Sequence, residues 1–267
     1  MHTPELDALA RRGWSADRFY VASPICMPNR ATLMTGRMPS VHGVRHNGIP
    51  LSQRATTFVD RLRLAGYATA LIGKGHLQNM TGKGPVWPPA GSDPSQGEAW
   101  TAEPGNYDQE WGPLWRNDPT HDLQTPFYGF QRVDLAVDHG DQVWGHYERW
   151  LARTHPEVRR QWGPEHALPA PGFVLTEHHQ AWRTRVPEEC STTAYLGDQT
   201  IRQLREHAAG KQPFFIQCSF PDPHHPFTPH GKYWSMYRPE DVALPHSFHA
   251  SAAPDHRPAP HVAWLYW

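Results

Sequence analysis

The chain has 267 residues, enough for one large domain or two small ones around a substantial core. Its 25 Lys and Arg nearly cancel its 26 Asp and Glu, so there is no net field to hold a nucleic-acid duplex or an anionic membrane surface. No stretch approaches the roughly 18 apolar residues of a membrane span, and the three cysteines, Cys26, Cys190 and Cys218, lie too far apart to read as a disulfide-stapled scaffold.

The first expected element is an amphipathic helix over residues 3–13. Thr3 fits the N-cap, Pro4 the first helical position and Gly13 the stop, with Leu6, Leu9 and Ala10 as the apolar stripe. No charged stretch leads into an apolar one at the start, so no export signal is visible and the cytoplasm is the expected compartment. Phe19-Tyr20-Val21-Ala22 is a β-prone run, and a short helix follows over 28–35, closed by Gly36. Residues 56–65 read as a helix capped by Thr56 or Thr57, with Phe58, Leu62 and Ala65 on one face and Gly66 at its end. The strand 67–72 comes next and stops at Gly73. Residues 79–126 are dense in Gly, Pro, Trp and Asp without periodicity, and read as a long surface insertion. A helical stretch over 141–162 and a loop-like one over 163–190 complete an insertion region, 79–190, within one catalytic domain spanning 1–267. Ser191 or Thr192 caps a helix through 209, and 213–220 is an apolar strand of the kind buried on both faces. Helix then strand, punctuated by glycine, is the pattern of an α/β fold with a mostly parallel sheet. The chain opens on a helix with no strand before it and ends on Trp264-Leu265-Tyr266-Trp267, which reads as the start of something buried. One or both ends of a longer domain are therefore expected to lie outside this sequence.

Ligands of open α/β sheets bind beyond the carboxyl ends of the strands. Here those positions hold Gly73-Lys74-Gly75-His76 and Pro221-Asp222-Pro223-His224-His225-Pro226-Phe227. A third stretch combines Cys26, Pro28 and Arg30 at a loop-to-helix junction. A helix N-terminus with a guanidinium one turn on suits an oxyanion. Cys26 alone could be a structural thiol. A phosphatase-type thiolate would want an arginine at position 32, where this chain has threonine. Taken singly, Lys74 could be a solvated charge and the histidines ordinary loop residues; their order along the chain with Cys26 and Arg30 raises them together.

Cys26-Met27-Pro28-Asn29-Arg30-Ala31-Thr32-Leu33-Met34-Thr35-Gly36-Arg37 resembles the first signature of the sulfatase family. Gly66-Tyr67-Ala68-Thr69-Ala70-Leu71-Ile72-Gly73-Lys74-Gly75-His76-Leu77 resembles the second. Pro223-His224-His225-Pro226-Phe227 resembles the third active-site stretch. The resemblance runs over most of the chain, loosely through 79–190. It implies an alkaline-phosphatase-like α/β sandwich and hydrolysis of a sulfate monoester on a small molecule or glycan. It also implies a divalent metal (Ca²⁺ first, Mg²⁺ or Mn²⁺ as alternatives) and oxidation of Cys26 to formylglycine by a formylglycine-generating enzyme. On that resemblance Cys26 is the precursor of the nucleophile and a metal ligand. Pro28 and Arg30 belong to the motif that the modifying enzyme reads, and Arg30 also holds the hydrated aldehyde. Lys74 binds a sulfate oxygen and His76 the diol. His224, rather than the adjacent His225, contacts substrate and protonates the leaving oxygen, and Asn47 binds substrate.

Two departures stand beside the resemblance. The family's paired acidic ligands on a strand ahead of the first helix have no counterpart, nor has its later acidic motif: Asp138-His139-Gly140-Asp141 is superficially similar but out of order, and is left unassigned. Two alternatives remain open. One is a phosphonate monoester or phosphodiester hydrolase of the same superfamily, whose best-known branch has Tyr and Thr where Lys74 and His76 stand. The other is a catalytically inactive, sulfatase-like binding protein.

Overall fold

Thr57 and Asp60 form a reciprocal capping box that starts the helix leading into the sheet. The computed structural model describes residues 2–87, 104–170 and 180–245. The chain divides into one unit over Met1–His230 and a second over Gly231–Trp267. In the second, the described elements are two short 3₁₀ turns, Gly231–Ser235 and Pro239–Asp241. The expectation for Trp264 to Trp267 lies outside the described residues.

In the first unit, α1 (Pro4–Arg12), α2 (Cys26–Thr35), α3 (Pro39–His42) and α4 (Phe58–Leu64) precede β1 (Ala68–Gly73). Then come α5 (Gly112–Asn117), β2 (Arg132–Val137), β3 (Trp144–Gly145), α6 (His146–Thr154) and α7 (Pro156–Arg159), followed by α8 (Thr192–Ala208) and β4 (Phe214–Ser219). The sheet order is β3-β2-β1-β4; β1 pairs in parallel with β2 and β4, and β3 runs antiparallel on the β2 edge. This is the expected α/β architecture with a mostly parallel sheet flanked by helices.

Alternate residues of β1 feed two cores, as the period of a strand requires. Leu71 packs with Met27, Ala31 and Met34 of α2, Val59 of α4, and Phe127 and Phe130. Ile72 packs on the other face with Ala136, Val143, Tyr147 and Leu151 of α6, and Tyr195 and Leu196 of α8.

Several expectations change. The run 19–22 forms no strand: Phe19 and Tyr20 are 78% and 86% exposed, because no neighbouring strand among the described residues offers them a ladder. α1 forms, yet buries no residue. The segment 79–126 is not a surface insertion where it is described, since Met80, Tyr107, Gln109, Glu110 and Trp115 are buried. The stretch 141–162 holds two helices after a short strand, with Pro156 starting the second. β4 is half-buried along its length rather than fully buried, because among the described residues it pairs only with β1.

At Gly73, which ends β1, φ is +107°, and a Cβ there would lie 2.0 Å from the carbonyl oxygen of Ser219. Gly73→Ala combines left-handed strain with a clash against backbone, and is expected to lower stability by about 2–5 kcal/mol. Urea denaturation measures this; a loss below about 0.5 kcal/mol, the ordinary range for a neutral substitution, would show that the two strand ends do not approach so closely.

Candidate active site

The close approach at Gly73 brings two strand ends together, with the Lys74 N–H donating to the Ser219 carbonyl at 2.8 Å. Against them stands the N-terminus of α2. Cys26 is its first residue and is half-buried. The Asn47 carboxamide oxygen accepts the Met27 N–H at 3.0 Å, satisfying one of the helix's free donors beside Cys26. One turn along, Arg30 Nη1 donates to the carbonyls of Lys74 and Gly75 at 3.0 and 3.3 Å and to the Ser219 hydroxyl at 3.2 Å. The guanidinium thus ties α2 to the ends of both β1 and β4. Burial pulls its pKa down; the charges of Glu110 and Cys26 push it up.

Lys74 is 2% exposed, and its ammonium donates to His139 Nε2 at 2.5 Å. That contact requires His139 to keep an acceptor at Nε2 and its proton at Nδ1, which lies 3.5 Å from the Asp138 carboxylate. The His139 ring stacks on His224 with centroids 3.7 Å apart. His224 Nδ1 donates to the His225 carbonyl at 2.5 Å, leaving Nε2 as its free nitrogen. His76 is buried, sits at φ +55° and has no hydrogen-bond partner on either ring nitrogen.

The Glu110 carboxylate fixes this loop. Its Oε1 accepts the His76 N–H at 2.5 Å, and its Oε2 accepts those of Leu77 and Gln78, each at 2.7 Å. Gly75 lets the carboxylate in, because a Cβ there would stand 2.5 Å from Oε1. Burial pushes Glu110 up from the ordinary carboxylate range, and the three N–H bonds and Arg30 pull it back.

Desolvation governs the cations too. Burial first and Arg30 second bring Lys74 down to about 8. His139 falls to about 4, mainly through burial. Burial and the nearby cations hold His76 well below its usual value, and burial lowers His224. At neutral pH the cluster is therefore one guanidinium and one ammonium among neutral imidazoles, a geometry suited to a tetrahedral oxyanion.

Cys26, Arg30, Lys74, His76 and His224, expected from the sequence, are brought together here. Asn47 joins them through the helix backbone beside Cys26. Two members were not foreseen. His139 follows β2, a strand the sequence reading did not identify, although Asp138-His139-Gly140-Asp141 had drawn attention. Glu110 lies in a segment without periodicity, and no local signal marks it.

The family profile described as Sulfatase matches residues 1–245. This chain belongs to the sulfatase family. It is 27% identical to the choline-sulfatase of Rhizobium meliloti (strain 1021) over 255 residues, covering 92% of this chain and 39% of that protein. It is 26% identical over 250 residues to a multifunctional alkaline phosphatase superfamily protein of Trinickia caryophylli, covering 92% and 40%. In fold it is similar to the phosphonate monoester hydrolase of Agrobacterium radiobacter, with a TM-score of 0.60 at 28% identity over 91% of this chain and 40% of that one. The chain thus spans about two-fifths of the length of these relatives. Sulfatase-family relatives are hydrolases, and the family generally uses a divalent metal and formylglycine.

The two groups fare differently against these residues. At Cys26, an unpartnered buried imidazole at His76 and two nearby cations fit a hydrated aldehyde. A metal cage does not fit. Among the described residues no three His, Cys, Asp or Glu side chains group to hold an ion. Glu110 is occupied by three N–H donors, and Ca²⁺ takes six to eight oxygens. Among the described residues the expected Ca²⁺ therefore finds no cage around Cys26.

Proposed function

We propose that this sulfatase-family chain carries the nucleophile and the sulfate-binding side chains of a sulfuric ester hydrolase, with Cys26 converted to formylglycine. One observation supports this above the others: Lys74, Arg30, His76 and His224 converge beside the N-terminus of α2 where Cys26 stands. When formed, the hydrated aldehyde supplies a hydroxyl nucleophile and a second hydroxyl for release of sulfate.

The chain's own residues account for the rest. Arg30, held by three oxygens, is a fixed cation at the helix N-terminus and orients whatever stands at position 26. Lys74 is nearly dry, so its charge acts on a sulfuryl oxygen with little solvent screening. His76 has two buried ring nitrogens without a partner, one of which would serve a hydroxyl at position 26. His224 presents Nε2 to the leaving oxygen; with Nδ1–H held by the His225 carbonyl, it acts as an acid there only once Nε2 has taken up a proton. Its pKa is lowered by burial, and by Lys74 and Arg30 after that, and an arriving anion offsets the cationic part.

The test is co-expression with a formylglycine-generating enzyme, followed by mass spectrometry of the Cys26 peptide and hydrazide capture. The expected result is an aldehyde at position 26, together with hydrolysis of 4-nitrophenyl sulfate that Cys26→Ala abolishes. An unmodified thiol in the folded protein, with no turnover, would instead favour the inactive binding protein. Phosphonate monoester hydrolysis is the second reading, favoured by the fold similarity to that enzyme. Rates on phenyl phosphonate and aryl sulfate separate the two, with sulfate expected to be faster.

A further inference from the structure

Next to the catalytic cluster is a cavity of about 280 Å³ lined by Arg116, Asp138, His139, Gln142, Trp144 and Pro226. His139 belongs to both: its Nε2 meets the Lys74 ammonium, and its ring forms part of the cavity wall. We propose that this cavity is the leaving-group subsite, and that it selects a sugar ring bearing a second anionic group over a neutral or cationic leaving group. The inference rests on the sulfatase reading only for where the scissile bond lies.

Size and lining carry the first half. The volume falls just below the roughly 300–1,000 Å³ of small-molecule pockets, enough for one ring and too little for a long chain. Asp138 and Gln142 offer acceptors and an amide donor to ring hydroxyls. A larger-walled alternative, the cavity of about 290 Å³ lined by Gln53, Gln109, Gln124 and Thr125 to Tyr128, shares no residue with the cluster.

Charge carries the second half. The aromatic wall of the subsite is Trp144, and two guanidinium groups lie over its ring, Arg116 at 4.8 Å and Arg159 at 4.9 Å from the centroid. A quaternary ammonium would have to compete with both for the ring and would be repelled by Arg116. Arg159 is paired with Glu148 at 2.7 Å. Arg116 is exposed and has no carboxylate partner among the described residues, so its fork of donors is available to a carboxylate or a second sulfate. Asp138 also lines the cavity, with its carboxylate 3.5 Å from His139 Nδ1 and no ion pair to Arg116 among the described residues, so its charge faces the positions of the ring hydroxyls while Arg116 supplies the cation.

The experiment measures binding by calorimetry and turnover in parallel on the full chain co-expressed with a formylglycine-generating enzyme. The probes are glucuronate 2-sulfate, glucose 2,6-disulfate, glucose 6-sulfate, choline sulfate and 4-nitrophenyl sulfate. The two doubly anionic sugars are expected to bind about tenfold tighter than glucose 6-sulfate, a factor that one charge-assisted hydrogen bond supplies. Choline sulfate is expected to bind weakest. Comparing the two dianions tells a carboxylate from a second sulfate. Arg116→Gln is expected to erase the tenfold preference, and Arg116→Lys, which keeps the charge and loses the fork, to retain part of it. Equal binding of all sugars, preference for choline sulfate, or an unchanged preference in Arg116→Gln would overturn the subsite. Hydrolysis of 4-nitrophenyl sulfate with no sugar preference sinks the subsite and spares the parent reading. Arg116-dependent binding of the dianions without any hydrolysis does the reverse.

Discussion

Glu110→Ala is expected to lower stability by about 3–5 kcal/mol, the range for breaking a buried charged network from one side. Three backbone N–H groups, those of His76, Leu77 and Gln78, would lose their acceptor together. A buried donor left unsatisfied costs about 1–3 kcal/mol. Part of the sum is offset, because burial already disfavours the Glu110 charge, so its removal relieves a desolvation penalty. The effect reaches the site as well. His76 stands at φ +55°, a left-handed conformation that an unsupported loop would abandon, and Lys74 is two residues away. Glu110→Gln keeps the shape and one acceptor oxygen, turns a donor toward the remaining N–H groups, and is expected to lose about half as much. Urea denaturation of the three proteins measures the series. A loss under about 1 kcal/mol for Glu110→Ala, below the cost of a single orphaned donor, would mean that solvent replaces the carboxylate and that the loop is not held as described.

What the sequence makes legible is local. Thr57 and Asp60 sit three apart at the start of an apolar-periodic run, and the capping box forms there; Ser191 caps α8 with its hydroxyl alone, accepting the Ala194 N–H. β1 and β4 are short apolar runs closed by polar residues, so Lys74, His76 and His224 could be placed at strand ends without a structure. β2 escapes because Arg132 and Asp134 break its apolar run. Its identity depends on pairing with β1, more than 60 residues earlier in the chain, where Ala70 aligns with Arg132. With β2 unseen, His139 could not be assigned to the same end of the sheet. Glu110 is harder still. Its role is to accept three N–H groups some 32 to 34 residues earlier in the chain, and nothing near it in sequence reflects that contact. The misreading of β4 is of the same kind, because burial of a strand depends on neighbours and not on its own composition.

Lys74→Met is expected to stabilise the folded protein by about 2 kcal/mol at pH 7 while weakening its affinity for sulfate. The ammonium is 2% exposed and its pKa is brought down to about 8, by burial first and by Arg30 next, with Cys26, Glu110 and Asp138 acting in the opposite sense. An unfolded lysine titrates near 10.4, and each unit of difference is about 1.4 kcal/mol, so holding the charge in place costs about 3 kcal/mol. Methionine fills a similar volume without that penalty but leaves His139 Nε2 without its donor, a loss of about 1 kcal/mol. The pH dependence has a definite sign. Below pH 8 both states hold the proton and the full penalty stands. Between 8 and about 10.4 the folded state sheds its proton while the unfolded chain keeps it, so the wild type gains stability as pH rises. The methionine variant has no such group, and its advantage should therefore shrink across that window. Other groups titrating there cancel in the difference between the two curves. Inorganic sulfate should raise the wild-type Tm more than the variant's at pH 7, and the excess should shrink above pH 8. A variant less stable than wild type at pH 7, or a difference curve flat from pH 8 to 10.4, would mean that the ammonium is solvated after all. A lysine kept at such a cost is explained if its dryness is what an anion uses: the same desolvation that weakens the fold strengthens the charge's hold on a sulfuryl oxygen.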